Sequence, residues 1–253
     1  MSTVEQCLIL AAGNGSRLVS RSSSVPKPLV QVHGRPLLEH IIMGARGAGI
    51  RSFAIVVGYR GDVIQQWCAK QAFADIEITF IENCEYHKDN GISVLKARGE
   101  IYDPFLLLMA DHIFESRTAR SLLQQPLGKG EVILAVDSNL DSIFDLEDVT
   151  KVLRDGDHIV DIGKQIAKYD AFDTGMFLCS PELFGVLEST KKNGNCSLSD
   201  GMRKLGQAKR LRAFDIGDAT WQDVDTPEAL AYTEILFDQH FCPEPLTERS
   251  ANV

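Results

Sequence analysis

Short apolar runs alternate with segments of helical periodicity along the first half of the chain. Four runs have the length and flanks of buried strands, and they span residues 8–12, 52–57, 76–81 and 105–110. Between them, apolar residues recur at three- and four-residue spacing, as on one face of a helix, over residues 37–48, 62–72 and 90–97. This alternation predicts βαβ units, and therefore a mainly parallel sheet with helices on both faces.

The second half has a different pattern. Two alternating runs flank Asp155-Gly156-Asp157 within residues 149–162, which is a β-hairpin signal. Further strands are predicted at 132–136, 171–179 and 212–216, and helices at 181–187, 199–205 and 227–237. The predicted fold is therefore α/β, a Rossmann-like doubly wound, mixed but mainly parallel sheet with an inserted hairpin. We expect a single domain over residues 1–241 and a tail or linker over 242–253.

Composition and charge narrow the class of function. The 253 residues carry a net charge of −9, which disfavours nucleic acid or an anionic membrane as the main partner. The six cysteines are scattered without a CxxC pair, as is typical of a reducing compartment. Residues 1–6 lack a basic segment, and the apolar run that follows is too short for a signal peptide or a membrane span. We therefore expect a cytoplasmic protein.

The most informative stretch follows the first predicted strand, where the chain reads Gly13-Asn14-Gly15-Ser16-Arg17. Glycines permit a turn that residues with a Cβ cannot follow, and the exposed N–H groups of such a turn can hold phosphate oxygens. Arg17 and Lys27 supply positive charge, and two prolines restrict the backbone on either side of Lys27. The dinucleotide fingerprint and the Walker A loop are both incomplete here. For the glycines alone, a tight strand-to-helix turn is an equal interpretation.

Two aspartates add a second chemical signal. Asp111 directly follows the strand predicted at 105–110, and Asp225 precedes the last predicted helix. Ligands of parallel α/β sheets bind at the carboxyl ends of strands, so the glycine loop and Asp111 could share one crevice. Two carboxylates in that crevice would suit Mg²⁺, which neutralises phosphate charge. Taken alone, Asp225 is better explained as a helix cap.

The sequence resembles the sugar- and alcohol-phosphate nucleotidyltransferases over nearly its whole length. The segments LILAAGNGSRL, PKPL and MADH carry this resemblance, in that order. Further segments are similar to the inositol-1-phosphate cytidylyltransferase branch, namely Asn90-Gly91-Ile92-Ser93, Met109-Ala110-Asp111-His112, Asp161-Ile162-Gly163-Lys164, Asp173-Thr174-Gly175, Ser197-Leu198-Ser199-Asp200-Gly201 and Trp221-Gln222-Asp223-Val224-Asp225-Thr226-Pro227. The resemblance implies a GT-A-like nucleotidyltransferase fold. It also implies Mg²⁺-dependent transfer of CMP from CTP to a phosphorylated alcohol, with inositol 1-phosphate as the leading acceptor.

The resemblance further implies roles for individual residues. Lys27 and Arg17 would be catalytic, and Asp111 and Asp225 would hold Mg²⁺. The acceptor would be bound by Lys151, Lys164 and Asp173. The nucleotide would be bound by Leu10, Ala11, Ala12, Gly13, Asn14, Gly15, Ser16, Arg17, Lys27, Asn90, Gly91, Ser93 and Asp111. Residues 1–115 would thus be mainly the nucleotide-binding half, and residues 116–241 mainly the acceptor-binding half.

Several alternatives remain open at this point. The acceptor could be a phosphonate or phosphocholine, or the chain could use another nucleoside triphosphate with a sugar 1-phosphate. A non-catalytic nucleotide-sensing relative would share the same loop. His112 follows Asp111 where many sugar nucleotidyltransferases soon place a second acidic residue, and we interpret His112 as structural. A homodimer, or fusion to another domain of the same pathway, is also compatible with the sequence.

Overall fold

The computed structural model describes residues 4–18, 25–71, 73, 75–141, 148–237 and 241. Within these residues the chain forms thirteen strands and seven α-helices. The strands are β1 (Gln6–Ala11), β2 (Gln31–Val32), β3 (Arg35–Pro36), β4 (Ser52–Val57), β5 (Glu77–Glu82), β6 (Phe105–Met109), β7 (His112–Phe114), β8 (Val132–Asp137), β9 (Lys151–Asp155), β10 (His158–Gly163), β11 (Ala171–Cys179), β12 (Leu211–Asp215) and β13 (Trp221–Asp223). The helices are α1 (Leu37–Gly47), α2 (Gly61–Ala69), α3 (Asn90–Lys96), α4 (Ser116–Leu123), α5 (Leu183–Thr190), α6 (Leu198–Gln207) and α7 (Pro227–Leu236).

Nine of these strands form one mixed sheet in the order β5-β4-β1-β6-β11-β8-β12-β10-β9. The strands β5, β4, β1 and β6 are parallel neighbours, and β8 and β12 form a second parallel pair. Strand β11 runs antiparallel between β6 and β8, and the β9–β10 hairpin lies at one edge. The mixed sheet with an inserted hairpin that the sequence predicts is therefore confirmed.

Apolar side chains cover both faces of the sheet. In β1, Leu8 contributes to the core on one face, whereas Cys7 and Ile9 contribute to the core on the other. All three side chains are fully buried, which explains why β1 reads as a continuous apolar run instead of an alternating one. Helices α3, α5 and α6 pack on the first face, and α1, α2 and α4 on the second. The loops after the parallel strands are thus held between two layers of helices.

Three elements are not predicted by the hydrophobic pattern. Helix α4 buries Thr118, Ala119 and Leu122, so small and polar residues weaken its apolar periodicity. The β2–β3 hairpin has only two residues in each strand. The pair formed by β7 and β13 has three residues in each strand, and the two strands lie far apart in the sequence. Pairing of this kind is set by tertiary structure and leaves little local signal.

Some sequence predictions concern residues outside the described ranges. Residue 72, the predicted end of the helix at 62–72, is one of them, and α2 is described to Ala69. The predicted tail or linker over 242–253 also lies outside the described residues. Among the helices that the structure describes, none combines the length and the apolar character needed to cross a membrane.

Candidate active site

The short ribbon of β7 and β13 brings two aspartates together. His112 in β7 is the register partner of Asp223 in β13, and the backbone N–H of Val224 donates to the carbonyl of Asp111 over 2.9 Å. Asp111 follows β6, which is the parallel neighbour of β1. The ribbon therefore places Asp225 beside the loop that follows β1. The glycine loop and Asp111 lie at one crevice, as the strand pattern predicts.

Gly15 and Lys27 are in direct contact at this crevice. Gly15 has a φ of +58°, and a Cβ at this position would lie 2.4 Å from the Cβ of Lys27, so only glycine fits. Lys27 begins a short 3₁₀ turn, Lys27–Leu29, and its side chain is buried. At Gly13, by contrast, a Cβ would meet no heavy atom of the described residues within 4 Å. The expectation that the turn itself requires glycine is therefore correct for Gly15 and wrong for Gly13, where the space before the backbone is open.

The ammonium of Lys27 lies between two carboxylates. Its Nζ donates to Oδ2 of Asp111 over 2.6 Å and also to Oδ1 of Asp225. Burial opposes the charge of Lys27, but the two aspartates outweigh it and raise the pKa of Lys27 above its usual value. Burial likewise opposes the charge of Asp111, but Lys27 and His112 lower the pKa of Asp111 far below its usual range. Both partners are therefore charged at neutral pH.

A second set of ion pairs extends from this centre. Arg17 contacts both Asp225 and Asp148, and Lys164 donates to Oδ1 of Asp148 over 2.6 Å. The guanidinium after the glycine loop and the lysine after β10 therefore share one carboxylate. Burial would raise the pKa of Asp148, but Lys164 and Arg17 lower it to about 2. Asp148 was not selected from the sequence, because no local motif marks it.

Two clefts meet at these charges. The first has a volume of about 290 Å³, and most of the residues predicted to bind nucleotide line it, namely Leu10, Ala11, Ala12, Gly13, Asn14, Gly15, Ser16, Arg17, Lys27, Asn90, Ser93 and Asp111. Tyr86 and Lys88 also line it and were not predicted. The second cleft has a volume of about 190 Å³ and includes Lys164 and Asp173. Both clefts are lined by Asn90, Met109, Asp111 and Asp225, so they are contiguous.

Two predicted residues lie beside these clefts. Gly91 packs against the loop before α6, since a Cβ there would lie 2.6 Å from the carbonyl oxygen of Cys196. Lys151 donates to the carbonyl of Lys164 over 3.2 Å, and its Nζ lies 5.6 Å from the ring centroid of Tyr169. Both residues therefore support the walls of the site, and direct contact with a ligand is not required to explain them.

The second cleft contains carboxylates with raised pKa values. Burial raises the pKa of Asp173 to about 6, although its Oδ1 accepts a hydrogen bond from the backbone N–H of Gly175 over 2.8 Å. Burial also raises the pKa of Asp223 to about 7, with the charges of Asp111 and Asp225 adding to the effect. Raised carboxyl pKa values in a cleft are typical of functional sites. From the sequence, Asp223 belongs to the motif at 221–227 but has no separate predicted role.

The acidic residues could hold a metal ion. Asp111 and Asp225 converge on the same ammonium nitrogen, so a cation already lies between their oxygens. Ligand atoms of Asp148, Asp223 and Asp225 lie within 4.8 Å of one another, and so do those of Asp111, His112 and Asp223. Carboxylate oxygens are the ligands that hard divalent cations prefer. The donor set therefore fits such an ion.

Residues 7–187 match the family described as MobA-like NTP transferase domain. This segment is well over half of the chain, and the chain belongs to that family of nucleotidyltransferases. Its resemblance to the nucleotidyltransferases, predicted from the motifs, is confirmed.

Individual relatives agree with this assignment. The bifunctional IPC transferase and DIPP synthase of Rubrobacter xylanophilus is 34% identical over 228 residues, which cover 89% of this chain and 50% of that protein. The 2-aminoethylphosphonate cytidylyltransferase of Lancefieldella rimae is 30% identical over 157 residues, or 59% of each chain. The solved structure of the inositol-1-phosphate CTP transferase from T. maritima superposes with a TM-score of 0.81 at 26% identity, covering 95% of this chain and 99% of that one. The predicted Rossmann-like nucleotidyltransferase fold is therefore confirmed, and the chain spans about half the length of the bifunctional relative.

Replacement of Gly15 by alanine is expected to destabilise the protein. The added Cβ would be strained by the positive φ and would overlap the side chain of Lys27. We expect the free energy of unfolding of Gly15→Ala to fall by at least about 1 kcal/mol in urea titrations. Gly13→Ala is the matched control, because the space at Gly13 is open, and its stability should be nearly unchanged. Equal losses in the two variants would contradict the proposed contact.

Replacement of Asp173 by asparagine tests the raised pKa. With a folded pKa of about 6, Asp173 binds its proton more tightly in the folded state, so its contribution to stability falls as the pH rises from about 4 to 6. Asp173→Asn has a similar size and no charge, and should gain up to about 3 kcal/mol on wild type between pH 4 and pH 7. Urea unfolding at both pH values measures this gain. The exposed Asp103→Asn is the control, and a pH-independent difference for Asp173→Asn would contradict burial of the charge.

Proposed function

We propose that the chain is a Mg²⁺-dependent cytidylyltransferase. It would transfer CMP from CTP to a phosphorylated alcohol, most simply inositol 1-phosphate, giving CDP-inositol and pyrophosphate. The observation that carries this proposal is the meeting of two clefts at Asp111 and Asp225, the two carboxylates that contact Lys27. One cleft has the glycine loop expected for a triphosphate, and the other has a lysine and a partly buried carboxylate. A transfer reaction needs two such ligands side by side.

The relatives support CTP and inositol 1-phosphate as the substrates. The Rubrobacter protein is an IPC transferase by name, and the T. maritima structure is an inositol-1-phosphate CTP transferase. The Lancefieldella protein is, by name, a cytidylyltransferase that acts on 2-aminoethylphosphonate. Cytidyl transfer is thus the activity these relatives share, while the acceptor differs among them.

In the nucleotide cleft, the backbone N–H groups of residues 12–16 would hold the triphosphate, and Arg17 would contact the departing pyrophosphate. Asn90 and Ser93 would lie beside the base and ribose. Ser93 is buried, and its hydroxyl accepts a hydrogen bond from Nδ2 of Asn83 over 2.9 Å, which fixes its orientation. Gly91 would act indirectly by letting α3 approach the loop at Cys196. We assign this half of the reaction mainly to residues 1–115.

Lys27 would be the main catalytic group. In the reaction, an oxygen of the acceptor phosphate attacks the α-phosphorus, a new P–O bond forms, and the bond to the pyrophosphate oxygen breaks. Negative charge on the α-phosphoryl oxygens and the leaving oxygen grows in this step, and a preorganised ammonium stabilises it. The acceptor phosphate is already a nucleophile, so this chain needs no general base or covalent residue. Positioning and charge stabilisation would supply most of the rate.

Asp111 and Asp225 would hold the Mg²⁺ ion. When bound, the ion would neutralise phosphate charge and orient the α-phosphoryl group. Two carboxylates, supplemented by phosphate oxygens and water, are the ligands Mg²⁺ usually takes in such sites. Lys27 lies between the same two carboxylates and balances their charge.

In the acceptor cleft, Lys164 would bind the acceptor phosphate and Asp173 its hydroxyl groups. Asp173 is partly buried, and among the described residues its Oδ1 accepts a hydrogen bond from the backbone N–H of Gly175, so the carboxylate has capacity for further donors, which a polyol supplies. Lys151 would act indirectly, by holding the carbonyl of Lys164. We assign this half mainly to residues 116–241 and include both halves in one domain over 1–241.

An aminophosphonate is the second candidate acceptor. The Lancefieldella relative acts on such a compound by name, and an ammonium group could also satisfy Asp173. We further propose that the enzyme is cytoplasmic. We also propose that it works with a second activity, since the Rubrobacter relative is bifunctional and the match covers 50% of that protein. The ordinary scattered thiols of the chain agree with a reducing compartment.

A substrate matrix tests the proposed reaction. CTP, UTP, ATP and GTP are each combined with inositol 1-phosphate, 2-aminoethylphosphonate, phosphocholine and glucose 1-phosphate, and pyrophosphate release is measured with Mg²⁺. The highest kcat/KM is expected for CTP with inositol 1-phosphate. Asp225→Asn, which alters a proposed Mg²⁺ ligand, is the negative control and should lower the rate by orders of magnitude. Fastest release with the aminophosphonate would favour the second candidate, and absence of release from every pair would refute the enzyme proposal.

Removal of the Lys27 ammonium should affect turnover more than binding. Its charge matters most where charge develops, so Lys27→Ala is expected to lower kcat by about 100-fold or more, while the Kd for CTP changes by less than about tenfold. Steady-state kinetics and calorimetric titration with CTP measure the two effects. Lys70→Ala, at an exposed lysine beyond α2, is the control. Equal losses in kcat and in binding would assign Lys27 to ground-state binding alone.

A further inference from the structure

The ring of His112 packs against Trp221 and Gly175. Its plane stacks on Trp221, with ring centroids 5.8 Å apart and an interplanar angle of 16°. Trp221 is itself anchored, since its Nε1 donates to Oδ2 of the buried Asp137 over 2.9 Å. The edge of the His112 ring lies against Gly175, where a Cβ would approach the imidazole Cδ2 to 2.6 Å. Gly175 has a φ of +74°, so glycine is required both for this backbone conformation and for the close approach of the His112 ring.

The fixed ring presents one polar atom to Asp111. Nδ1 of His112 lies 2.8 Å from Oδ1 of Asp111. Because a carboxylate paired with an ammonium only accepts hydrogen bonds, Nδ1 is the donor. The other oxygen of the same carboxylate, Oδ2, accepts from Lys27 over 2.6 Å. The two oxygens of Asp111 therefore have separate partners on opposite sides. Rotation about the last side-chain bond of an aspartate is otherwise soft.

We propose that His112 is a positioning residue that fixes the Asp111 carboxylate through its Nδ1–H, so that Oδ2 faces the reacting centre. The inference rests on the proposed function, because it assigns Asp111 to the metal and the α-phosphate region. In this role His112 acts through Asp111. The sequence predicts a structural role for His112. We now assign that role to one hydrogen bond, which holds the Asp111 carboxylate in place.

The arrangement is that of an outer-shell partner. Such partners orient a ligating carboxylate or imidazole, and their loss typically lowers metal affinity or activity by 10–100-fold. Packing alone would not explain the polar edge, because a phenylalanine could fill the same slot between Trp221 and Gly175. The second carboxylate near the ring, Asp223, has its Oδ1 3.9 Å from Nδ1, beyond hydrogen-bond distance. The Nδ1–H is therefore directed to Asp111 alone among the described residues.

Two substitutions separate the hydrogen bond from the packing. His112→Phe keeps the stacked ring and removes the donor, whereas His112→Asn places an amide N–H near the position of Nδ1 and removes the ring. We expect His112→Phe to bind Mn²⁺, measured by electron paramagnetic resonance with CTP present, 10–100-fold more weakly than wild type. Its kcat should fall by a similar factor, its KM for CTP should change less, and its melting temperature should stay near the wild-type value. His112→Asn should recover much of the Mn²⁺ affinity despite lower thermal stability.

The opposite ranking would overturn the inference. If His112→Phe binds Mn²⁺ and turns over as wild type does, or if His112→Asn is the more impaired variant in Mn²⁺ affinity, His112 is a packing residue. A measurement on the wild-type protein avoids dependence on the folding of either variant. In ¹⁵N spectra of the imidazole at pH 7, Nδ1 should be protonated, with a signal that changes in Asp111→Asn. A ring protonated only at Nε2 would overturn the proposal.

Failure of the role proposed for His112 can be distinguished from failure of the proposed function. If no acceptor releases pyrophosphate with any nucleotide, the cytidylyltransferase assignment fails, yet Mn²⁺ affinity and the ¹⁵N signals still report on His112 and Asp111. If wild type is active and His112→Phe is unimpaired, the enzyme assignment stands and only the role of His112 fails.

Discussion

The ion cluster of Lys27, Asp111 and Asp225 is the constraint on which the rest of the site depends. A lysine buried this deeply is stable in its charged form only when carboxylates surround it, and loss of a partner from such a cluster costs about 3–5 kcal/mol. The same charges that stabilise the cluster are those a nucleotide and a metal would require. The stability of the fold and the proposed chemistry therefore depend on the same three side chains.

The fold assembles this cluster from distant parts of the chain. Parallel strands β1 and β6 bring the loop that leads to Lys27 next to Asp111. The ribbon of β7 and β13 then carries Asp225 to the same place and orders His112 against Trp221. The antiparallel strand β11 contributes Asp173 and Gly175 at the far wall. Residues that are far apart in the sequence therefore meet where the two clefts join.

Much of this architecture is predictable from local sequence, for identifiable reasons. Parallel strands buried on both faces give continuous apolar runs, so β4 begins and ends where the pattern predicts. The glycine loop is visible because positive φ selects glycine, although only Gly15 carries that requirement. Asp148 and Tyr86 could not be predicted, because their place in the site depends on pairing across the sheet. The division into nucleotide and acceptor halves also remains a prediction, since Asp111 and Asp225 line both clefts.

In the proposed reaction, Lys27 exchanges a carboxylate partner for phosphate. The decisive experiment is a crystal structure with Mg²⁺ and a CTP analogue that has a non-hydrolysable α–β bridge. We expect Nζ of Lys27 to leave at least one of Asp111 and Asp225 and to lie within hydrogen-bond distance of an α-phosphate oxygen, while Mg²⁺ lies between the two carboxylates. A complex in which Lys27 remains bonded to both aspartates, with the α-phosphate bound elsewhere, would contradict it.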